Sequence, residues 1–387
     1  MGQRVGRFRL AFGLTRAQLA AAVGRNTEWL KGVESGRQRL DRYAMIHALA
    51  EALGVAPGDL LGLPCGREDP QAAPAHRALA ALRPAVLRTG LSSPSAGPAE
   101  PVERLRNRLG AAVRLRAAGR YADLAAELTL LLDGLNAGPP DPSADPDADA
   151  TSAGLLVGAL HETAMLAKRL GAPDLAALAA NEARTRVAVR ADPVETAAAQ
   201  WLGAEVCLAA GAVREAAALI DSGLSGTDAI LGRSGPQAWR IWGTLHLVGA
   251  VVEAQGGRQA ESSLHLADAA AAVAHTGAGE LDRTGFGTGE WALHSVHAAL
   301  ELGEDIEALD RVRGVDLTGL PTERQARHGI DRARAHTRAG NWDQAARELL
   351  AADRRAPQLV RSHPLVRELV LTAPRLEAAT SGLGFTW

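Results

Sequence analysis

Aromatic side chains are scarce: seven Trp, four Phe and two Tyr make up 3% of 387 residues. Cysteine is rarer still. Cys65 and Cys207 cannot build a disulfide framework or a four-cysteine zinc site, which points to a reducing, cytoplasmic setting. No charge-free apolar run reaches the roughly 18 residues that a membrane span requires. Residues 1–13 are basic but carry no apolar core or cleavage site, so they do not read as a secretory signal. Gly6 breaks the myristoylation pattern. Lysine occurs only as Lys31 and Lys168; every other basic chain is arginine. Ala and Leu, by contrast, are plentiful within a 47% hydrophobic fraction. That palette favours helix over strand. With 22% charged residues, bulk disorder is excluded. The length suits two or three domains at roughly 100–200 residues each.

The formal net charge of −2 conceals an asymmetry. Residues 1–42 carry nine Lys/Arg and three acids, a surplus of +6. Taken to residue 64 the head is +4 and the remainder −6. A polyanion partner for the head and a merely solvated basic face are then equally good readings of the charge.

Residues 1–64 read as five short helices. The first covers 3–12, with Val5, Phe8 and Phe12 at helical spacing. Thr15 is a good N-cap for 16–23, whose apolar face is Leu19, Ala20 and Val23. Gly24 makes the turn, and Asn26 caps 27–34, with Leu30 and Val33 inward. A fourth helix covers 42–53, and a short fifth has Pro57 in its first turn. Two short helices joined across a glycine in a basic unit are the layout of a DNA-binding helix-turn-helix.

The head resembles the lambda-repressor-like, or XRE-type, helix-turn-helix family over about 60 residues. Arg9, Leu14, Thr15, Leu19, Ala20, Gly24, the run Val33 to Arg37, Leu53, Gly54, Val55, Leu60 and Leu61 carry the likeness. Arg25 departs from it, where the family usually has a small apolar residue. The resemblance implies base reading by Thr27, Glu28 and Lys31, and phosphate contacts by Arg16, Arg37, Arg39 and Arg42. It implies a structural ion pair between Arg9 and Glu34, and one contact fewer at Gly32. The chemistry agrees: Lys31 can donate to guanine and Glu28 can accept from cytosine. Glu28 can equally serve only to neutralise Lys31 along the helix. Trp29, beside the core residue Leu30, reads as packing more readily than as a base contact.

Residues 65–101 are rich in Pro, with one helical piece over 76–91 that Pro84 should kink or split. They read as a linker with a docking helix. Residues 137–152 are acidic and Pro-rich and read as a disordered loop. Beyond 101 a turn recurs at Gly119, Gly171, Gly211, Gly257, Gly303 and Gly340. Five residues after each lie Leu124, Ala176, Ala216, Ser262, Ala308 and Ala345, and four further on Leu128, Ala180, Ile220, Leu266, Val312 and Leu349. Seven before each lie Ala112, Ala164, Ala204, Ala250, Val296 and Ala333. Small residues where helices cross, and larger ones filling the gaps, describe an α-solenoid of helix pairs over 102–387. The pattern resembles tetratricopeptide repeats, with Gly119/Tyr121 and Gly340/Trp342 as the best copies. The expected fold is all-α: a five-helix head, then this solenoid. The order of parts and the arginine bias also resemble actinobacterial XRE regulators.

With the turn glycine as register, the concave face should present His161, Met165, Lys168, Trp201, Glu205, Gln255, Glu290, His297, Arg327, Arg334 and Arg338. A peptide or small-molecule groove and a solvated arginine-rich face both fit that set. Trp239 and Trp242, one turn apart, read as core or as a stacking pair. His294 and His297 lack a third metal ligand nearby. His161 and Glu162 begin a zinc-protease-like string that Met165 breaks. Residues 282–289 form a Gly-rich stretch expected to order on ligand binding. No nucleophile–base motif stands out, so no enzyme and no cofactor is expected. The expectation is a DNA-binding regulator, dimeric on an operator duplex, whose body senses a signal or makes the dimer. A protein-interaction scaffold with a DNA-docking head is the alternative.

Overall fold

The computed structural model describes residues 1–91, 100–137, 148–190, 192–276, 284–372 and 376. Among them the chain forms twenty helices and no strand. The head holds α1 (Gly2–Ala11), α2 (Arg16–Ala22), α3 (Thr27–Glu34), α4 (Tyr43–Leu53) and α5 (Pro57–Leu61). Thr15 and Gln18 close a reciprocal capping box on α2, and Asn26 Oδ1 accepts from the Trp29 N–H at 2.8 Å on α3. Each such cap contributes roughly 1 kcal/mol. Val5, Leu19, Leu30, Ile46, Leu49 and Leu60 are fully buried together and hold the five helices as one unit.

Helix α6 (Ala73–Gly90) runs through Pro84 as a single helix rather than as two pieces. Proline there removes one helix hydrogen bond. Burial of Leu79, Leu82, Ala85 and Val86 in the main core offsets that loss. Over its described part the stretch read as a linker is therefore packed against the body. The acidic stretch 137–152 lies mostly outside the described residues, as does the first part of 282–289.

Six helix pairs follow. They are α7 (Val102–Ala117) with α8 (Tyr121–Ala137), α9 (Ala148–Arg169) with α10 (Pro173–Arg190), and α11 (Pro193–Ala210) with α12 (Val213–Asp228). Then come α13 (Gly235–Gln255) with α14 (Gln259–Val273), α15 (Thr288–Leu302) with α16 (Asp305–Gly314), and α17 (Thr322–Arg338) with α18 (Trp342–Arg355). Two short helices, α19 (Pro357–Ser362) and α20 (Pro364–Thr372), come last in the element order. Each of the six recurring glycines turns one helix into its partner at positive φ, between 69° and 81°. All eighteen crossing positions are buried at 8% exposure or less. The repeat register read from the sequence is thus the register of the packing.

The body also closes on itself. Its last helices return to its first. The Ala122 N–H donates to Gln358 Oε1 at 3.0 Å, Arg169 pairs with Glu323 at 3.2 Å, and Ala356 closes on Gly119. One continuous core joins α6, α8, α9 and α10 to α17, α18, α19 and α20. Closure turns a concave face into an interior. Met165, Trp201 and Arg334 are accordingly at most 2% exposed.

The head sits on the turn edge of this ring. Gly211 approaches Pro57 so closely that a Cβ there would lie 2.5 Å from the ring carbon, and Gly303 lies against the Arg42 guanidinium. Leu365 of α20 is buried in the core of the head, and the Met1 ammonium pairs with Glu368 at 2.9 Å.

Candidate nucleic-acid interface and a head–ring cavity

Thr27, Glu28 and Lys31 lie exposed on one face of α3, while Leu30 and Val33 on the opposite face are buried. Lys31 and Glu28 are 3.6 Å apart, a loose solvent-exposed pair that costs little to open. Arg25 lies over the Trp29 ring at 5.7 Å, and Trp29 packs against the head core. The arginine that departs from the family pattern thus covers an aromatic face. Gly32 is buried, and a Cβ there would sit 3.1 Å from Gln38. Position 32 therefore faces the following loop.

Arg9 and Glu34 form the ion pair that the resemblance implies, at 2.5 Å, and Arg9 also donates to the Leu14 carbonyl. Arg16 joins Glu34 at 2.7 Å while its side chain stays 46% exposed. Burial raises the Glu34 pKa, but hydrogen bonds from Arg9 and Arg16 outweigh it, and the carboxyl ends below its ordinary value. Arg16 thus stands at the start of α2 with one edge held and the rest open.

The segment after α3 divides. Arg37 is exposed, its Nε donating to Ser35 Oγ at 3.1 Å. Arg39 stacks on Trp342 at 4.6 Å, and burial lowers its pKa. Arg42 lies at the turn of Gly303. Of the four arginines expected on phosphate, two face solvent and two face the body. Between them Asp41 accepts from Arg338 at 2.8 Å, and its carbonyl accepts from Arg334 at 2.6 Å. Glu301 accepts from the Tyr43 N–H at 2.9 Å and from Arg334 at 2.7 Å. Arg334 and Glu301 are 1% and 0% exposed. Burial lowers the Arg334 pKa, yet Glu301, Asp331 and Asp41 raise it well above the usual range. This buried hub joins the residues just behind α3 to α15 and α17.

Beneath the hub lies a cavity of about 190 Å³ between head and ring. Lys168, Glu205, Gln255, Glu290, His297, Arg327 and Arg334, all expected on one concave face, line it. Tyr43, Leu61 and Leu63 of the head complete its wall. The remaining expected groove residues lie elsewhere. His161 lines a second hollow with Glu162, and Met165 and Trp201 are core. Trp239 stacks on His275 at 4.0 Å, and Trp242 donates to Asp228 at 2.7 Å. Arg338 belongs to the hub. Phe286, from the Gly-rich stretch, packs against Gly243 in the core.

Asp41, Tyr43, Arg169, Glu301, Arg324 and Asp331 are the site residues that sequence reasoning misses. Arg324 stands one helical turn before Arg327 and was open to the same register argument. Asp41, Tyr43 and Glu301 carry no one-dimensional signal, because ring closure and head docking bring them together. No described group of three His, Cys, Asp or Glu is arranged to hold a metal. No helix among the described residues is long and apolar enough to cross a membrane.

Residues 1–62 match the family described as a helix-turn-helix domain. A comparison with curated proteins finds no match.

Proposed function

We propose that the protein is a sequence-specific DNA-binding transcriptional regulator of XRE type, non-catalytic and dimeric on its operator. Its tetratricopeptide-like ring would read a signal or hold the dimer. The observation that carries this is the face of α3: Thr27, Glu28 and Lys31 stand free above a well-packed helix-turn-helix, flanked by Arg16 and Arg37. Side chains at such positions can reach base edges in the major groove, and the flanking guanidiniums can hold phosphates. The Asp41–Arg334–Glu301 hub supports a role for the body in regulation. It makes head position depend on α15 and α17, so a change in the ring is felt behind the recognition helix.

Selection from random duplexes tests the proposal. The expected product is an operator of two half-sites about one helical turn apart. Recovery of no preferred sequence would overturn it.

A further inference from the structure

The wall of the head–ring cavity carries five cations, Lys168, Arg169, Arg324, Arg327 and Arg334, against three acids, Glu205, Glu290 and Asp331. Glu323 and Glu301 behind the wall bring the two signs level. Net charge alone therefore decides nothing; the pairing does. Lys168 pairs with Glu205, Arg169 with Glu323 at 3.2 Å, and Arg324 with Glu290 at 2.9 Å. Arg334 is held by Glu301 and Asp331. Arg327 differs from all four. Among the described residues it makes no hydrogen bond and no ion pair, although it lines the cavity.

Burial lowers the Arg327 pKa, but the fields of Glu323, Glu290 and Asp331 outweigh it and keep the guanidinium charged. A half-buried cation with five uncommitted N–H donors calls for an acceptor. Behind the same wall Gln255 Oε1, both His328 ring nitrogens and His363 Nδ1 are buried without hydrogen-bond partners. Burial holds His294 and His363 near pKa 4 and 3, so both are neutral at pH 7 and repel no cation or anion. Leu208, Val248, Val251 and Leu293 supply an apolar surface beside them.

We infer that this cavity binds a small amphipathic organic anion, a carboxylate or phosphate on an apolar body, with Arg327 as the residue that grips the anionic group. The guanidinium fork matches either oxyanion in a bidentate fashion. An apolar cavity of roughly 150 Å³ holds benzene. About 190 Å³ therefore admits a ring with an acid group attached. Because Tyr43, Leu61 and Leu63 belong to the wall, the bound anion would favour the docked head. That consequence rests on the regulator reading above and names the chemical class of its effector.

Calorimetry on the full chain tests the inference with four probes built on one phenyl ring: benzoate, phenyl phosphate, benzyl alcohol and benzylamine. At least one anion should saturate a single site, with the alcohol and amine weaker by roughly tenfold or more. Preference for benzoate assigns a carboxylate, and preference for phenyl phosphate a phosphate. Arg327→Gln should weaken the anion by roughly tenfold or more at an unchanged unfolding midpoint. If that variant does not fold, Val251→Phe should abolish binding by filling the cavity. No saturable anion, equal binding of all four probes, or full affinity in Arg327→Gln or Val251→Phe would overturn the inference. Operator affinity is measured separately. Anion binding without operator binding removes the regulator reading alone, and the reverse removes the cavity alone.

Discussion

The head and the ring both depend on basic side chains, and they use them in opposite ways. On the outer face of the head, Lys31 and Arg37 are exposed, with weak partners or local ones. In the ring, Arg334 and Arg361 are buried and each is held by carboxylates, Arg334 by Glu301 and Asp331, Arg361 by Asp353 and Asp69. Exposed pairs contribute little to stability and exchange partners readily. Buried ones cannot lose a partner without leaving a charge uncompensated. Position along the chain does not separate the two sets. Arg37 and Arg39 are two residues apart, yet one faces solvent and the other stacks on Trp342. A basic residue near α3 is therefore open to a DNA contact only if the body leaves it free.

The largest expected effect breaks the comparison on the buried side. Arg334→Met strands Glu301 and should cost about 3–5 kcal/mol in denaturant unfolding, with part of the loss recovered by adding Glu301→Leu. A loss below about 1 kcal/mol would mean that the hub is no more important than a surface pair. Acid is the next lever. The folded-state pKa values of His294, His328 and His363 are lowered to about 4, 4 and 3 from an ordinary 6.5, chiefly by burial. Their contribution is fully present above pH 6.5 and is lost as pH falls from there toward 4. Stability should drop by on the order of 1 kcal/mol per group per pH unit in that window. A flat profile between pH 7 and 4.5 would contradict their burial.

On the exposed side, Lys31→Ala should leave stability unchanged, weaken operator binding by roughly 1–3 kcal/mol and relax base preference. Equal loss on all sequences would sink its reading role. The smallest effect is the sharpest for the comparison. Arg37→Ala should lower affinity for all duplexes alike and reduce the salt slope by roughly 1. Arg39→Ala, at the position the family places on phosphate, should leave that slope alone and lower the unfolding midpoint instead. A changed slope in Arg39→Ala would show that its stacking on Trp342 is released on DNA.

Local signals carried the fold a long way. The caps Thr15 and Asn26, the turn glycines and the small crossing residues depend on chain neighbours within about one helix pair, and each was legible. Seven residues of the cavity wall followed from the same register. The contacts between Ala122 and Gln358, or between Asp41 and Arg338, were not legible, because their partners lie more than two hundred residues apart. Periodicity says which face of a helix is apolar. It does not say how far a superhelix curves before its ends meet. Sequence reading therefore describes a groove on one concave face where ring closure and head docking make a partly open cavity.

The central claim is that the free face of α3 reads DNA sequence. Its most direct test is competition, at physiological salt, between the selected operator and a scrambled duplex of the same length and composition for the full chain. Preference for the operator by roughly a thousandfold or more is the predicted result. Equal affinity for the two duplexes would contradict the claim, leaving the head a basic surface with no sequence to read.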